Sequence, residues 1–78
     1  MITIKYFGPM ADLTARDEET ISLLMLNVLE LYDWLMETYK LESIPFSIAV
    51  NNEIVPVTSD VALQENDEIA VLPPYAGG

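Results

Sequence analysis

The chain has 78 residues, enough for one small domain, and its 51% apolar content excludes a disordered polymer. Thirteen carboxylates face three cations, Lys5, Arg16 and Lys40, for a formal charge of −10; nucleic acid and anionic membrane surfaces are poor partners for such a chain, and a protein with a basic face is a good one. With no cysteine and no histidine, a disulfide framework, a thiolate nucleophile, a Cys/His zinc site and a Ser-His-Asp triad are all excluded.

The opening MITIKYF alternates Ile2, Ile4 and Tyr6 with Thr3 and Lys5, the period of a half-buried strand over Met1 to Phe7. Gly8-Pro9 ends it, and Pro9 opens a short helical turn through Leu13. Arg16 to Glu19 reads as a charged loop, and Thr20 to Leu24 as a second strand pairing with the first. No apolar run approaches the roughly 20 residues that span a bilayer. No basic, then apolar, leader pattern opens the chain, so a cytoplasmic location is expected.

Asn27 to Lys40 carries the strongest helical signal. Asn27 is a capping residue, with Glu30 three positions on. Val28, Leu31, Leu35 and the tyrosines at 32 and 39 form one stripe, while Glu30, Asp33 and Glu37 lie on the wet side. Trp34 and Met36 fall beside the stripe and read as boundary packing. Lys40 suits the negative end of the helix dipole.

Phe46, Ile48 and Val50 alternate again as a third strand. Asn51-Asn52 is a turn, and Ile54 to Val57 a short return strand with Pro56 at an edge. Ser59 or Asp60 caps a brief turn through Leu63, and Asn66-Asp67 turns the chain into a last strand, Ile69 to Leu72. Pro73-Pro74 closes that strand, because proline has no N–H for a ladder. The order β-β-α-β-β-β predicts an α+β fold: a mixed sheet of four to five strands with one long helix across one face. A helix following the second strand lets a later strand return parallel to the first. Residues 1–72 then make the domain, and 73–78 an extended tail.

Few side chains offer chemistry. Asp17-Glu18-Glu19 could hold a hard cation, but it lacks the spaced ligands of a calcium loop and reads as solvated; Glu65 to Glu68 reads the same way. The ending Pro73-Pro74-Tyr75-Ala76-Gly77-Gly78 is different. Two prolines favour extended geometry, and the six residues reach about 20 Å. Tyr75 and Ala76 offer side chains to grip, whereas Gly77 and Gly78 enter a channel too narrow for a Cβ. The reactive group is then the carboxylate of Gly78. A carboxylate becomes an electrophile as an acyl-adenylate, and a sulfur donor that replaces AMP leaves –COSH. Such a carrier needs no cysteine.

On IKYFG, DEETISL before the helix, AVNNEIV, ENDEIAVLPP and above all PPYAGG, the whole chain resembles the small subunits of molybdopterin synthase, the MoaD family of sulfur carriers with the ubiquitin-like β-grasp fold. The Pro-Pro-x-x-Gly-Gly ending sets that family apart from thiamine-pathway carriers and ubiquitin-like modifiers, which share the fold and the two glycines. The resemblance implies an E1-like (MoeB-like) enzyme that adenylates Gly78 with ATP, a sulfur donor protein, and no resident cofactor. It implies a large (MoaE-like) synthase subunit into which Leu72, Pro73, Pro74, Tyr75, Ala76 and Gly77 carry Gly78. There sulfur passes to a cyclic pyranopterin. The family's apolar docking surface maps onto Ile54 and Leu72. One stretch departs from the family: Leu24-Met25-Leu26 stands where a polar turn is usual. That predicts a second strand that runs on and buries Leu24 or Leu26, the alternative being an extra apolar contact surface.

Overall fold

The alternation of Ile2, Ile4 and Tyr6 is realised in the computed structural model as strand β1 (Ile2–Tyr6), all three of those side chains buried. The structure describes residues 1–22, 27–41 and 44–73. After β1 comes a short helix α1 (Pro9–Thr14), with proline in its first turn as the sequence suggests. Strand β2 (Glu18–Ile21) pairs antiparallel with β1, Ile2 opposite Ile21 and Lys5 opposite Glu18. The strand thus starts at Glu18, inside the stretch predicted to be a charged loop. Its predicted extension to Leu24, and the burial of Leu24 or Leu26, fall outside the described residues.

Helix α2 (Val28–Tyr39) is capped at Asn27, whose Oδ1 accepts the Glu30 N–H at 2.9 Å. Lys40 follows in the left-handed region, its N–H returning to the Met36 carbonyl; it closes the helix rather than sitting in its last turn. The stripe behaves as predicted. Val28, Leu31 and Leu35 are buried, and Tyr32, Trp34, Met36 and Tyr39 pack half-buried around them.

Strands β3 (Ser47–Val50) and β4 (Glu53–Val55) form a hairpin through Asn51-Asn52. Both asparagines have positive φ (50° and 71°), the conformation of a type I′ turn, which matches the twist of the flanking strands. Strand β4 stops before Pro56, so the return strand is shorter than predicted. Residues 59–63 form no helical turn; Ser59 Oγ instead accepts the Val61 N–H, and Ala62 makes a single bridge to Asn27. Strand β5 (Glu68–Leu72) completes a five-stranded sheet in the order β2-β1-β5-β3-β4. Its central pair, β1 and β5, is parallel, and the other neighbours are antiparallel.

The two faces of the sheet differ. Ile2, Ile4, Tyr6, Ile48, Ile69 and Val71 form one face and bury themselves against Val28, Leu31 and Leu35 of α2. Met10, Leu41, Phe46 and Leu63 close the edges of this core. The other face carries no helix among the described elements. At its foot, Asn51 ties the β3–β4 turn to the start of β5: its Nδ2 donates to Asp67 Oδ1, and its Oδ1 accepts the Glu68 N–H, both at 3.0 Å. No described helix is long and apolar enough to cross a membrane.

Candidate functional site

Proline at position 73 decides where the sheet ends. Phe7 N–H donates to the Val71 carbonyl at 3.1 Å, the pattern that places Phe7 beside Leu72 in the parallel ladder. The next bond of that ladder would run from the N–H of residue 73 to the Phe7 carbonyl, and Pro73 has no N–H. The Phe7 carbonyl instead accepts the Met10 N–H at 3.0 Å, which opens α1. Both partners have therefore left the ladder at the same level. Between them sits Gly8 at φ 56°, ψ −134°, a backbone conformation that glycine adopts without strain. A Cβ on Gly8 would lie 3.8 Å from Pro73 Cγ, so a side chain there would rest against the proline where the two segments part.

The uncovered face of the sheet surrounds this root. Cα partners run across it from Glu18 through Lys5, Ala70 and Ala49 to Ile54. Lys5 Nζ reaches Glu68 Oε2 at 3.5 Å on the same face. Ala70 and the buried Ala49 lie in the middle of this row, the Lys5–Glu68 pair and Glu18 toward β2, and large apolar residues at the rim. Ile54 is 53% exposed and Phe7 45%, with Leu72 half-buried beside Phe7. Of the residues proposed from the sequence, Ile54, Leu72 and Pro73 thus lie on or at the root of this surface. Pro74, Tyr75, Ala76, Gly77 and Gly78 lie outside the described residues. Phe7 was not among the sequence candidates. The signal for it was available: Thr3 and Lys5 occupy the outward positions of β1, and Phe7 continues that register as an aromatic where a polar residue is ordinary.

On the helix side of the same sheet end, Glu19 is only 13% exposed at its side chain and gathers three donors. Tyr6 Oη donates to its Oε2 at 2.5 Å, Tyr39 Oη donates to the same oxygen, and Arg16 Nη1 approaches Oε1 at 3.2 Å. The rings of Tyr6 and Tyr39 meet edge to face at 5.8 Å, and Trp34 stacks on Tyr39 in the same manner. The acidic run at 17–19 is therefore not simply solvated. One of its three carboxylates is a structural acceptor, and among the described residues no group of three or more ligating side chains could hold a metal ion.

Both phenols of this group have pKa values raised above the usual tyrosine range, Tyr6 strongly so. Burial raises each most, and donation to Glu19 raises each further. A folded-state pKa above the unfolded value of about 10 gives stability that is complete below pH ~10 and is lost above it. Unfolding free energy should therefore fall above pH ~10 by about 1.4 kcal/mol per pH unit for Tyr6, with Tyr39 adding in the same direction. Urea midpoints measured from pH 8 to 11.5 check this, and Tyr6→Phe should flatten the slope.

At the opposite end of β5, an open cleft of about 390 Å³ is lined by Val50, Val55, Val61, Gln64 and Asp67, among others. Both Asp67 oxygens are already used, by Asn51 and by the Gln64 N–H. The cleft lies far from the sheet end where the chain leaves the ladder.

Comparison with known proteins agrees with this geometry. The model of the ThiS family matches residues 4–78. A Pyrococcus furiosus protein assigned as molybdopterin converting factor subunit 1 superposes with a TM-score of 0.80 at 26% identity, over 95% of this chain and 97% of its own. The complex of subunits 1 and 2 of molybdopterin-converting factor from Helicobacter pylori contains a chain that superposes with a TM-score of 0.69 at 25% identity, over 99% and 97% of the two chains. Small archaeal modifier protein 1 of Methanosarcina acetivorans superposes at 0.77 with 21% identity, over 99% and 95%, and shares the fold.

Proposed function

Because the chain belongs to the ThiS family of ubiquitin-like sulfur carriers, we propose that it is the sulfur-carrying subunit of a molybdopterin synthase. The Gly78 carboxylate attacks the α-phosphate of ATP on an E1-like enzyme and releases pyrophosphate. A persulfide sulfur of a donor protein then displaces AMP to form an acyl disulfide, and a second thiol attacks the donor-side sulfur, leaving the thiocarboxylate and a protein disulfide. The tail from Leu72 to Gly78 enters the large synthase subunit, where the sulfur passes to a cyclic pyranopterin and a carboxylate is regenerated. This chain supplies presentation, and the partner supplies the catalytic cations.

The observation that carries this reading is the architecture around Pro73. The sheet is stopped there by a missing N–H and by the diversion of the Phe7 carbonyl, beside an exposed apolar surface bearing Phe7, Leu72 and Ile54. A sheet that ends at Pro73 beside such a surface suits delivery of the residues that follow into a partner that docks there. The likeness to a chain solved in complex with the second subunit of molybdopterin-converting factor supports the same arrangement.

The test is direct. Incubation of the pure protein with its activating enzyme, ATP and a sulfur source should add the mass of one oxygen-to-sulfur exchange at Gly78. An unchanged mass after verified adenylation would overturn the proposal. The family match also suits a thiamine-pathway carrier, which performs the same activation. The nutrient requirement created by loss of the gene, molybdenum cofactor or thiamine, separates the two.

A further inference from the structure

We infer that Glu19 is a positioning residue for the tail, an inference that rests on the sulfur-carrier reading above. Its carboxylate joins three elements at a single point: Tyr6 at the end of β1, its own β2, and Tyr39 at the end of α2. That point lies next to the root of the tail. Tyr6 is the Cα partner of Val71, and the residue after Tyr6 holds the root directly, Phe7 through its bond to the Val71 carbonyl. Strand β2 is a four-residue edge strand that, among the described residues, pairs with β1 alone. The Glu19 bonds, together with the edge-to-face contact of Tyr6 and Tyr39, fasten it and the end of β1 to the helix.

The consequence concerns entropy. A tail that threads into a partner loses conformational freedom, and a fixed root reduces that loss before binding begins. Freeing Tyr6 widens the range of directions in which Leu72 and Pro73 leave the sheet. The loss then falls on capture of the tail, not on the sulfur transfer that follows capture. A side chain that merely stabilised the domain would do neither.

Glu19→Ala and the core variant Ile48→Val, compared at equal residual stability, separate these roles. Native-state hydrogen exchange needs no sulfur chemistry. The Phe7 amide of Glu19→Ala should exchange about tenfold faster than that of Ile48→Val, while core amides such as that of Ile4 match in the two variants. In steady-state transfer, Glu19→Ala should raise KM for the large subunit about fivefold and leave kcat unchanged. Glu19→Gln, whose amide oxygen still accepts a phenol proton, should recover most of the loss. Equal exchange at Phe7 in the two variants, or equal KM, overturns the inference. A wild-type chain that transfers no sulfur would instead overturn the sulfur-carrier reading, and the exchange comparison would still decide whether Glu19 fixes the root.

Discussion

Deleting Gly78, or adding one residue after it, should abolish sulfur transfer and leave thermal unfolding unchanged. In the proposed mechanism the reacting carbon is the Gly78 carboxyl carbon, so either change displaces the reacting group by about 3.5 Å. A reacting atom misplaced by about 1 Å already costs on the order of a hundredfold in rate. The fold is indifferent to the change because the last ladder bond of β5 to β1 is made at Val71 and Pro73 ends the pairing. Two readouts check the prediction: the melting curve and single-turnover transfer from chemically charged protein. Transfer at the wild-type rate from the lengthened chain would show that the partner does not measure the tail from its root, contrary to the mechanism proposed here.

The sequence made some of this plain and concealed the rest for physical reasons. Helix α2 was legible because its stripe and its Asn27 cap are local signals, each decided within a few residues. That some later strand would return parallel to β1 followed from the crossover rule once the helix was placed, but not that this strand is β5. The start of β2 was not legible. Glu18 and Glu19 are poor strand formers, yet an edge strand tolerates charge, and the burial of Glu19 is compensated by phenols from positions 6 and 39. No local pattern announces a partner 20 residues away. The root of the tail was half legible. Pro73 declares the end of a strand, whereas the role of Phe7 depends on which strand lies beside it.

The aromatic at position 7 therefore carries the second large effect. Phe7→Asp should weaken binding of the large subunit about a hundredfold, near 3 kcal/mol, and change the melting temperature little. Phe7 is 45% exposed in the isolated chain, so the domain does not depend on its burial. In an assembled complex its ring would be covered, and an aspartate there would place an unpaired carboxylate in a dry contact on a chain that already carries −10. Added salt should not restore affinity, because the loss comes from burial and desolvation more than from long-range repulsion. Val61→Asp is the matched control. Val61 is similarly exposed, at 49%, but lines the cleft at the opposite end of β5, and its change should leave binding intact. Equal weakening by both variants would mean that added negative charge alone, and not the surface around Phe7, governs assembly.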